Sequence, residues 1–459
     1  MQRTPSLTGT LMDQSITNTA NGSTLIKNGV VVTVNATNEI FDPGFVLVEG
    51  NRITAVGPMA AAPPDHSGRV MDAHTCLVMP GLINVHTHAA MSLLRGVADD
   101  LPLKTWLEQY IFPIESRLVT PDFVYTGTLL AGLEMIRSGT TCFCDGYFFE
   151  ESALHAVAQI GLRAVLGQAI LDAPTPDVPD PSRNIAYGRE FLECCAAASE
   201  LITGTLFCHA AYTCGPPTLG AASALCQEYG VPLLIHTAET TTEVSEVVRQ
   251  YGRSPLRHLD SLGLLDHPVV LKHCVWVDAD EYVLLKRDTV GVAHCPESNM
   301  KLASGVAPVA EYLEQGIAVG LGTDGCASNN DLDMFGEMDT AAKIHKVKRC
   351  NPAVMNACEV LRMATIGGAR ALGLQNQVGS LEVGKRADLI IIDWNQPHLI
   401  PTYDYCSHLV YTVSGHDVLS VMVDGNLLME NRTVLTVDEH EILGKAKAIG
   451  KAVRSFEAG

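Results

Sequence analysis

The sequence predicts an α/β protein: a (β/α)8 TIM-like barrel with a small β-sandwich domain built from both chain ends. Eight apolar, strand-like runs alternate with segments of helical periodicity from Pro80 onward. Short strands and turns without a helical period precede and follow this region. Barrels of this type carry their functional groups where the strands end, and polar residues gather there in this chain. The eight runs end at His88, Asp145, Gln168, His209, His236, His273, His294 and Asp324.

The order of these elements divides the chain into four parts. Residues 1–23 are polar and rich in Ser, Thr and Asn, which predicts a flexible tail. Residues 24–79 and 379–440 contain strand-like runs and turns, and we expect them to form one composite β-sandwich domain. Residues 80–378 form the predicted barrel, and residues 441–459 form a predicted C-terminal helix.

The composition excludes several classes of function. The chain has 459 residues, of which 47% are hydrophobic, so it can bury a large core. A formal net charge of −20 argues against nucleic acid or an anionic membrane as a partner. The 14 cysteines include no C-x-x-C pair, and several lie in apolar runs, which predicts reduced thiols and a cytoplasmic location. No signal peptide and no apolar run of membrane-spanning length is evident in the sequence.

The first barrel strand ends in two histidines, His86 and His88, separated by one residue. Residues i and i+2 of a strand point to the same face, so both imidazoles would leave the strand in one direction. Two neutral nitrogen donors placed in this way suit a metal ion. Alone, an H-x-H pair in a chain with 16 histidines is a weak signal, so the hypothesis depends on further ligands.

Four other barrel strands supply such candidates. His236, His273, His294 and Asp324 each close an apolar run, so each is expected to point into the mouth of the barrel. Any one of them could be an ordinary buried polar residue. Five strands of one barrel that all end in His or Asp instead indicate a metal site.

These motifs, taken together, resemble those of the amidohydrolase superfamily, and the resemblance extends from about Thr24 to Leu435. A later glycine-rich segment is similar to that family's return from the barrel to its β-sandwich. The segments that carry the resemblance are Pro80–His88 (PGLINVHTH), His236–Glu239 (HTAE), His273–Val275 (HCV), His294–Leu302 (HCPESNMKL), Gly322–Asn330 (GTDGCASNN) and Gly379–Leu389 (GSLEVGKRADL).

The resemblance implies the mononuclear branch of the superfamily, which includes nucleoside deaminases and s-triazine hydrolases. In that branch His86, His88, His236 and Asp324 would hold one divalent metal ion, usually Zn²⁺. Members with two metal ions carry a modified lysine at the end of the fourth barrel strand. This chain has Cys208-His209 there, so we expect a single ion.

The expected chemistry uses three residues near the metal. A bound Zn²⁺ lowers the pKa of water to about 7, so hydroxide is available at neutral pH. Glu239 lies three residues past a ligand, where it can carry a proton to the substrate ring without binding the metal. Asp324 can bind metal and accept the proton of the water, and His273 can orient the nucleophile. His294 is expected in a supporting position behind the ligands.

The segment after the first barrel strand resembles the part of methylthioadenosine and S-adenosylhomocysteine deaminases in which a Glu binds both ribose hydroxyls. Glu115 matches that residue, and Trp106 is expected beside it. A carboxylate suits a vicinal diol because it accepts two hydrogen bonds. Glu108 competes for the same role, and a surface salt bridge between Glu115 and Arg117 is the simpler alternative.

Three further residues are candidate substrate contacts by resemblance to the same subgroup. His209 would contact the nucleoside, and Arg163 and Arg183 would lie near the substrate tail, where an arginine suits a carboxylate. For His209 the alternative is a structural residue at a strand end. For Arg163 it is a salt bridge of the barrel.

The resemblance therefore implies a zinc-dependent deaminase of the adenine ring of methylthioadenosine or S-adenosylhomocysteine, with a small nucleoside as partner. An s-triazine or free-purine hydrolase of the same superfamily is the first alternative. A non-catalytic barrel that serves as a scaffold is the second. The preferred nucleoside and the oligomeric state stay open, although a homo-oligomer is compatible with the sequence.

Overall fold

A computed structural model describes residues 22–457 of the chain. The first 21 residues of the predicted flexible tail lie outside the described residues. Among the described residues no helix has the length and apolar character needed to cross a membrane.

The strands form two sheets, and five of the eight barrel strands are buried along their whole length. In chain order they are β1 (Ser23–Val32), β2 (Ile40–Glu49), β3 (Arg52–Pro58), β4 (Arg69–Asp72), β5 (Cys76–Pro80), β6 (Leu82–Thr87), β7 (Thr140–Tyr147), β8 (Arg163–Ile170), β9 (Ile202–Ala210), β10 (Leu233–Thr237), β11 (Val269–His273), β12 (Val290–His294), β13 (Ala318–Leu321), β14 (Leu389–Asp393), β15 (Val418–Val423), β16 (Asn426–Glu430) and β17 (Thr433–Val434).

The helices mostly connect the barrel strands. In chain order they are α1 (Leu103–Trp106), α2 (Phe112–Leu118), α3 (Pro121–Arg137), α4 (Glu150–Ile160), α5 (Asn184–Ala198), α6 (Pro216–Tyr229), α7 (Thr241–Tyr251), α8 (Pro255–Ser261), α9 (Tyr282–Leu285), α10 (Pro296–Lys301), α11 (Val309–Glu314), α12 (Met334–Arg349), α13 (Ala357–Arg362), α14 (Gly368–Ala371), α15 (Tyr405–Tyr411) and α16 (Glu439–Glu457). A π-helical turn, Leu107–Ile111, joins α1 to α2.

Local sequence explains where these helices begin and end. The Thr120 side chain accepts a hydrogen bond from the Phe123 amide, and Pro121 occupies the first turn of α3, where no amide donor is needed. Helix α4 ends at Gly161, whose φ of 87° is the left-handed conformation that glycine adopts readily. Helical periodicity in the sequence predicts helices over Pro121–Ser138 and Glu150–Ile160; α4 has the latter bounds, and α3 ends one residue earlier than predicted, at Arg137.

Strands β6 to β13 form the predicted barrel, paired in parallel in sequence order. Its two edges meet because the Asp324 amide donates to the His86 carbonyl over 2.9 Å. Side chains of the same edge also pair, with Asn84 Nδ2 donating to Thr323 Oγ1 over 2.8 Å. All eight carboxyl ends therefore face one opening, as the fold class requires.

The chain ends form a separate mixed sheet of nine strands, in the order β17-β16-β15-β14-β5-β1-β2-β3, with β4 paired to β1. The two ends meet where β5 pairs with β14, for example Val78 with Ile391. This sheet has its own core, which includes Ile26, Val46 and Leu389. The predicted fold class is confirmed: a barrel and a smaller β unit to which both chain ends contribute.

Candidate metal centre and substrate pocket

His86 and His88 lie at the mouth of the barrel, at the end of β6. His88 Nδ1 is 2.6 Å from the Gly146 carbonyl oxygen, which can only accept a hydrogen bond. Nδ1 of His88 therefore carries the proton, and the lone pair of Nε2 is free to bind a metal. His86 Nε2 is buried and has no hydrogen-bond partner among the described residues. Burial lowers the pKa of His86 well below its usual value, so this ring is neutral.

His236 and Asp324 converge on the same point. The His236 ring centroid lies 5.2 Å from that of His86 and 5.5 Å from that of His88. Asp324 Oδ1 is 3.3 Å from Nε2 of both His86 and His88. Burial alone would raise the pKa of Asp324, but the imidazole of His86, 3.3 Å away, and the other neighbouring imidazoles hold that pKa well below its usual range.

These donors fit a divalent metal ion. One potential ligand atom from each of His86, His88 and His236 lies within 4.8 Å of the others, and the same holds for His86, His273 and Asp324. Three neutral imidazoles and one ionised carboxylate form a common donor set for zinc. An unpartnered buried nitrogen on His86 is costly unless a ligand uses it, so the geometry favours a cation here.

Glu239 and His273 lie beside this centre. Glu239 Oε2 is 3.8 Å from His273 Nε2, and Ser304 Oγ donates to Glu239 Oε1 over 3.4 Å. The other ring nitrogen of His273 is 3.0 Å from Asn299 Oδ1 and can donate to it, which fixes the orientation of the ring. Burial raises the pKa of Glu239 above that of an ordinary glutamate, which favours the protonated carboxyl and suits a proton donor.

Glu243, which the sequence reasoning did not single out, holds the loop that carries Glu239. Its two carboxylate oxygens accept hydrogen bonds from the amides of Ala238 over 2.9 Å and Glu239 over 2.7 Å. Ala238 has a φ of 52°, an uncommon conformation for a residue with a side chain. The Thr240-x-x-Glu243 spacing at the start of α7 is a helix-start signal that could have identified this residue.

The metal donors open into a mostly apolar pocket that also contains Glu115 and Trp106. Glu115 is only 7% exposed, and Tyr147 donates its hydroxyl to Glu115 Oε1 over 2.6 Å. Arg117 instead lies over the ring of Phe456, with 5.1 Å between guanidinium carbon and ring centroid. The surface salt bridge that the sequence left open is therefore not present. Burial raises the pKa of Glu115 to about 7.

Trp106 and His209 also line the pocket. The Trp106 indole nitrogen donates to the Val97 carbonyl over 3.1 Å, which orients the ring as part of the wall. His209 Nδ1 lies 2.9 Å from Thr213 Oγ1, and burial lowers the pKa of His209 to about 4. His209 is therefore a neutral group that can donate or accept a hydrogen bond within the pocket.

The structure does not bring Arg163 to the pocket. This arginine is the first residue of β8, so it lies at the end of the barrel opposite the mouth. Its Nε donates to Asp388 Oδ2 over 2.8 Å, and one of its terminal nitrogens donates to Asp388 Oδ1 over 3.0 Å. The prediction of a tail contact is corrected by this geometry, and the barrel salt bridge is the interaction observed.

Arg183 and His294 also lie outside the pocket lining. The exposed side chain of Arg183 approaches Glu190 at 4.0 Å, at the start of α5, and does not reach the pocket. His294 Nε2 is 3.0 Å from His345 Nε2, so His294 occupies a supporting position in the barrel wall. Neither of the two arginines predicted to contact the substrate tail, Arg163 and Arg183, is therefore available for that contact.

Fold and site together define a hydrolase barrel with a metal-binding mouth. The amidohydrolase family model matches residues 77–428. The chain belongs to this family.

Relatives of known name cover nearly the whole chain. A protein of Syntrophobacter fumaroxidans named 5-methylthioadenosine/S-adenosylhomocysteine deaminase is 47% identical over 94% of this chain and 98% of its own. A 5'-deoxyadenosine deaminase of Methanosarcina mazei is 42% identical over 92% of this chain and 96% of its own. The crystal structure of an adenosine deaminase from Xanthomonas campestris with bound zinc has a TM-score of 0.92, with 38% identity over 94% of this chain and 98% of its own.

Proposed function

We propose that the chain is a zinc-dependent deaminase of the adenine ring of 5'-methylthioadenosine and S-adenosylhomocysteine. The products are the inosine analogue and ammonia. One observation carries the proposal: the buried carboxylate of Glu115 lines the same pocket as the metal donors and Glu239. The names of the relatives support the same substrate class.

His86, His88, His236 and Asp324 would hold the metal ion. A divalent cation at this position supplies the Lewis acidity that makes water a nucleophile at neutral pH. The choice of zinc rests on the donor set of three imidazoles and one carboxylate, and on the zinc of the related adenosine deaminase.

Glu239 and Asp324 move the protons of the reaction. Replacement of an amino group by water needs a proton on the ring nitrogen beside the attacked carbon, and a second proton on the departing nitrogen, and the attacking water supplies both. Glu239 takes one of them and gives it to the ring nitrogen, a role that suits a buried carboxyl whose pKa lies above its usual value. Asp324 accepts the other proton from the attacking water and passes it to the departing nitrogen, and His273, fixed by Asn299, stabilises the negative charge that develops on the oxygen.

Glu115 binds the ribose. Tyr147 uses one lone pair of Oε1, which leaves the remaining acceptor sites of the carboxylate for two vicinal hydroxyls. A triazine or a free purine has no diol, so a buried carboxylate at this position would gain nothing from such a substrate. This disfavours the alternative of an s-triazine or free-purine hydrolase. A scaffold is disfavoured because all four metal donors and Glu239 are present.

The test is a measurement of ammonia released from adenosine, 5'-methylthioadenosine, S-adenosylhomocysteine and melamine, with the metal content determined in parallel. We expect release from the nucleosides, loss of release after chelation and its recovery with Zn²⁺. Glu115→Ala should raise KM for the nucleosides far more than for adenine as a bare ring. Release from melamine alone, or full activity in a metal-free preparation, would contradict the proposal.

A cytoplasmic location and a homo-oligomer stay predictions. The 14 cysteines are all free, which is compatible with a reducing compartment. Sedimentation of the purified protein would give the oligomeric state.

A further inference from the structure

The substrate pocket continues outward into a second, larger cavity, here called the vestibule, with a volume of about 980 Å³. Five apolar side chains line both cavities and form a throat between them: Leu103, Leu107, Phe112, Leu171 and Leu302. A methylthio group is much smaller than the vestibule beyond this throat. The volume beyond it can hold a longer substituent on the 5' side of the nucleoside.

Three charged side chains of the vestibule approach each other across its opening. Lys104 Nζ, on α1, is 3.9 Å from Glu108 Oε1 and 3.8 Å from Glu246 Oε1, on α7. These residues, the vestibule triad, connect the segment that carries Trp106 and Glu115 with the helix that follows Glu239. The side chains are 64%, 57% and 33% exposed in the order given.

The triad keeps its hydrogen-bonding capacity. Its N···O distances are too long for hydrogen bonds, and none of its three charged groups takes part in a side-chain hydrogen bond within residues 22–457. Exposed ion pairs of this kind add little to stability. Three donors on Lys104 and the acceptors of two carboxylates are therefore available to a ligand.

The other charged groups that line the vestibule are mostly committed to the protein. Lys301 donates to Asp99 Oδ1 over 2.7 Å and also contacts Asn330. Glu243 accepts from two backbone amides. Asp100 is exposed at the edge. Among the residues that line the described vestibule, Lys104 is thus the one cation without a hydrogen bond, and it lies between two carboxylates at 3.8 and 3.9 Å.

We propose that the vestibule triad binds an α-amino acid group carried on the 5' side chain of the nucleoside, as in S-adenosylhomocysteine. The carboxylate of that group pairs with Lys104, and its ammonium pairs with Glu108 and Glu246, while the methylene and sulfur atoms lie in the apolar throat. A zwitterion offers one charge of each sign, which matches the mixed charges of the triad. This inference rests on the proposed function and takes the place of the arginine contacts that the structure does not provide.

The experiment compares three substrates that differ only beyond the sulfur: 5'-methylthioadenosine, S-adenosylhomocysteine and 5'-deoxy-5'-(3-aminopropylthio)adenosine, which has the amine but no carboxylate. In Lys104→Ala we expect the ratio of kcat/KM for S-adenosylhomocysteine to that for 5'-methylthioadenosine to fall about tenfold. In Glu246→Gln we expect the same ratio to fall. The ratio of kcat/KM for the aminopropyl compound to that for 5'-methylthioadenosine should fall in this variant too. Lys104→Ala should not lower the ratio for that compound, because it has no carboxylate.

Lys343→Ala is the matched control. Lys343 also forms an exposed i,i+4 pair, with Asp339, and its side chain is 63% exposed, but it lies outside the vestibule. The Lys343→Ala variant should keep the kcat/KM ratios of S-adenosylhomocysteine and of the aminopropyl compound to 5'-methylthioadenosine within twofold of those of the unmodified protein. Unchanged ratios in Lys104→Ala and Glu246→Gln, or equal losses with all three substrates, would overturn the inference.

A binding measurement separates this inference from the proposed function. If no nucleoside releases ammonia, the proposed function fails. Calorimetric binding of S-adenosylhomocysteine still tests the triad in that case. A Kd about tenfold weaker in Lys104→Ala than in the unmodified protein supports it, and an equal Kd or no binding overturns it.

Discussion

The two ends of the barrel differ in how completely their buried polar groups are paired. At the closed end, Arg163 is matched by the carboxylates of Asp388 and Asp424, with every contact between 2.8 and 3.3 Å. At the mouth, within residues 22–457, His86 Nε2 has no hydrogen-bond partner, and the one side-chain hydrogen bond to the Glu239 carboxylate is a long one from Ser304, at 3.4 Å. A fold tolerates buried charges when they are fully paired, whereas unsatisfied buried polar groups are retained where a ligand completes them. The contrast separates structural from functional residues.

Backbone conformation does not follow this contrast, because positive φ values occur at both ends, with 49° at Asp424 of the closed end. Three residues at the mouth have positive φ values, 52° at Ala238, 70° at His273 and 61° at Asp324. Residues with side chains adopt this region at a cost, and such conformations cluster at functional sites. At the closed end, the Asp424 amide donates to Asp388 Oδ1 over 2.8 Å, so even the backbone contributes to the pairing around Arg163.

Removal of the proton carrier should give the largest effect. In Glu239→Gln the amide keeps the shape of the side chain but cannot transfer a proton. We expect kcat to fall by roughly 10³-fold, within the usual contribution of a general acid or base. The bound metal and the melting temperature should stay unchanged, as measured by metal analysis and calorimetry. A kcat within tenfold of that of the unmodified protein would contradict the role of Glu239 as a proton carrier.

Disruption of the closed end should cost stability and leave the chemistry intact. Arg163→Met leaves Asp388 buried without its partner, which we expect to destabilise the protein by about 3 kcal/mol. Denaturant unfolding gives this value, and kcat/KM per folded molecule should stay within twofold. A selective loss of S-adenosylhomocysteine turnover in this variant would instead indicate that Arg163 contacts the substrate tail.

The pH dependence of nucleoside binding should report the ionisation of Glu115. Because burial raises its pKa to about 7, the carboxyl takes up a proton below that pH and loses acceptor capacity. We expect KM for 5'-methylthioadenosine to rise as the pH falls from about 8 to about 6. Glu115→Gln should raise KM and abolish this dependence, whereas a 2',3'-dideoxy nucleoside should show neither effect.

The same carboxyl has a consequence for stability. Its folded pKa lies above the ordinary value of 4.5, so between these values the folded protein binds more protons than the unfolded chain. Stability therefore falls as the pH rises through this window, because ionisation of the buried group opposes folding. Glu115→Gln should flatten this part of the stability profile, and a steeper slope would contradict the assignment.

Arg183→Ala should give the smallest effect. Its side chain is exposed and its approach to Glu190 is long, so we expect changes below twofold in kcat/KM for every nucleoside. A loss confined to S-adenosylhomocysteine would show that the loop before α5 reaches the tail in the complex, contrary to its position here.

The sequence predicted the mouth better than the closed end. Ligands such as His86 and Asp324 could be found because each ends an apolar strand, and strand ends of a parallel barrel share one face. Arg163 begins a strand, and its partner Asp388 is distant in the chain, so no local pattern distinguished a salt bridge from a substrate contact. Strand β4 was missed, because its four residues are largely exposed and show no apolar run.

Two features of the site lie beyond any pattern in the sequence. Tyr147 meets Glu115 only because β7 brings its hydroxyl to the segment that follows β6. The vestibule triad forms because α1 and α7 face each other across the pocket. Contacts between distant segments depend on the packed fold, and local spacing does not encode them.

The pairing of β5 with β14 bears on how the protein is made. During synthesis the first five strands leave the ribosome well before β14, the partner of β5, with the whole barrel translated in between. The nascent chain must therefore carry a strand edge with unpaired hydrogen-bonding groups for much of its translation. Such an edge is prone to misassembly, and chaperones protect chains in this state. Completion of the smaller unit thus becomes a late event in biogenesis, governed by the arrival of the carboxyl-terminal strands.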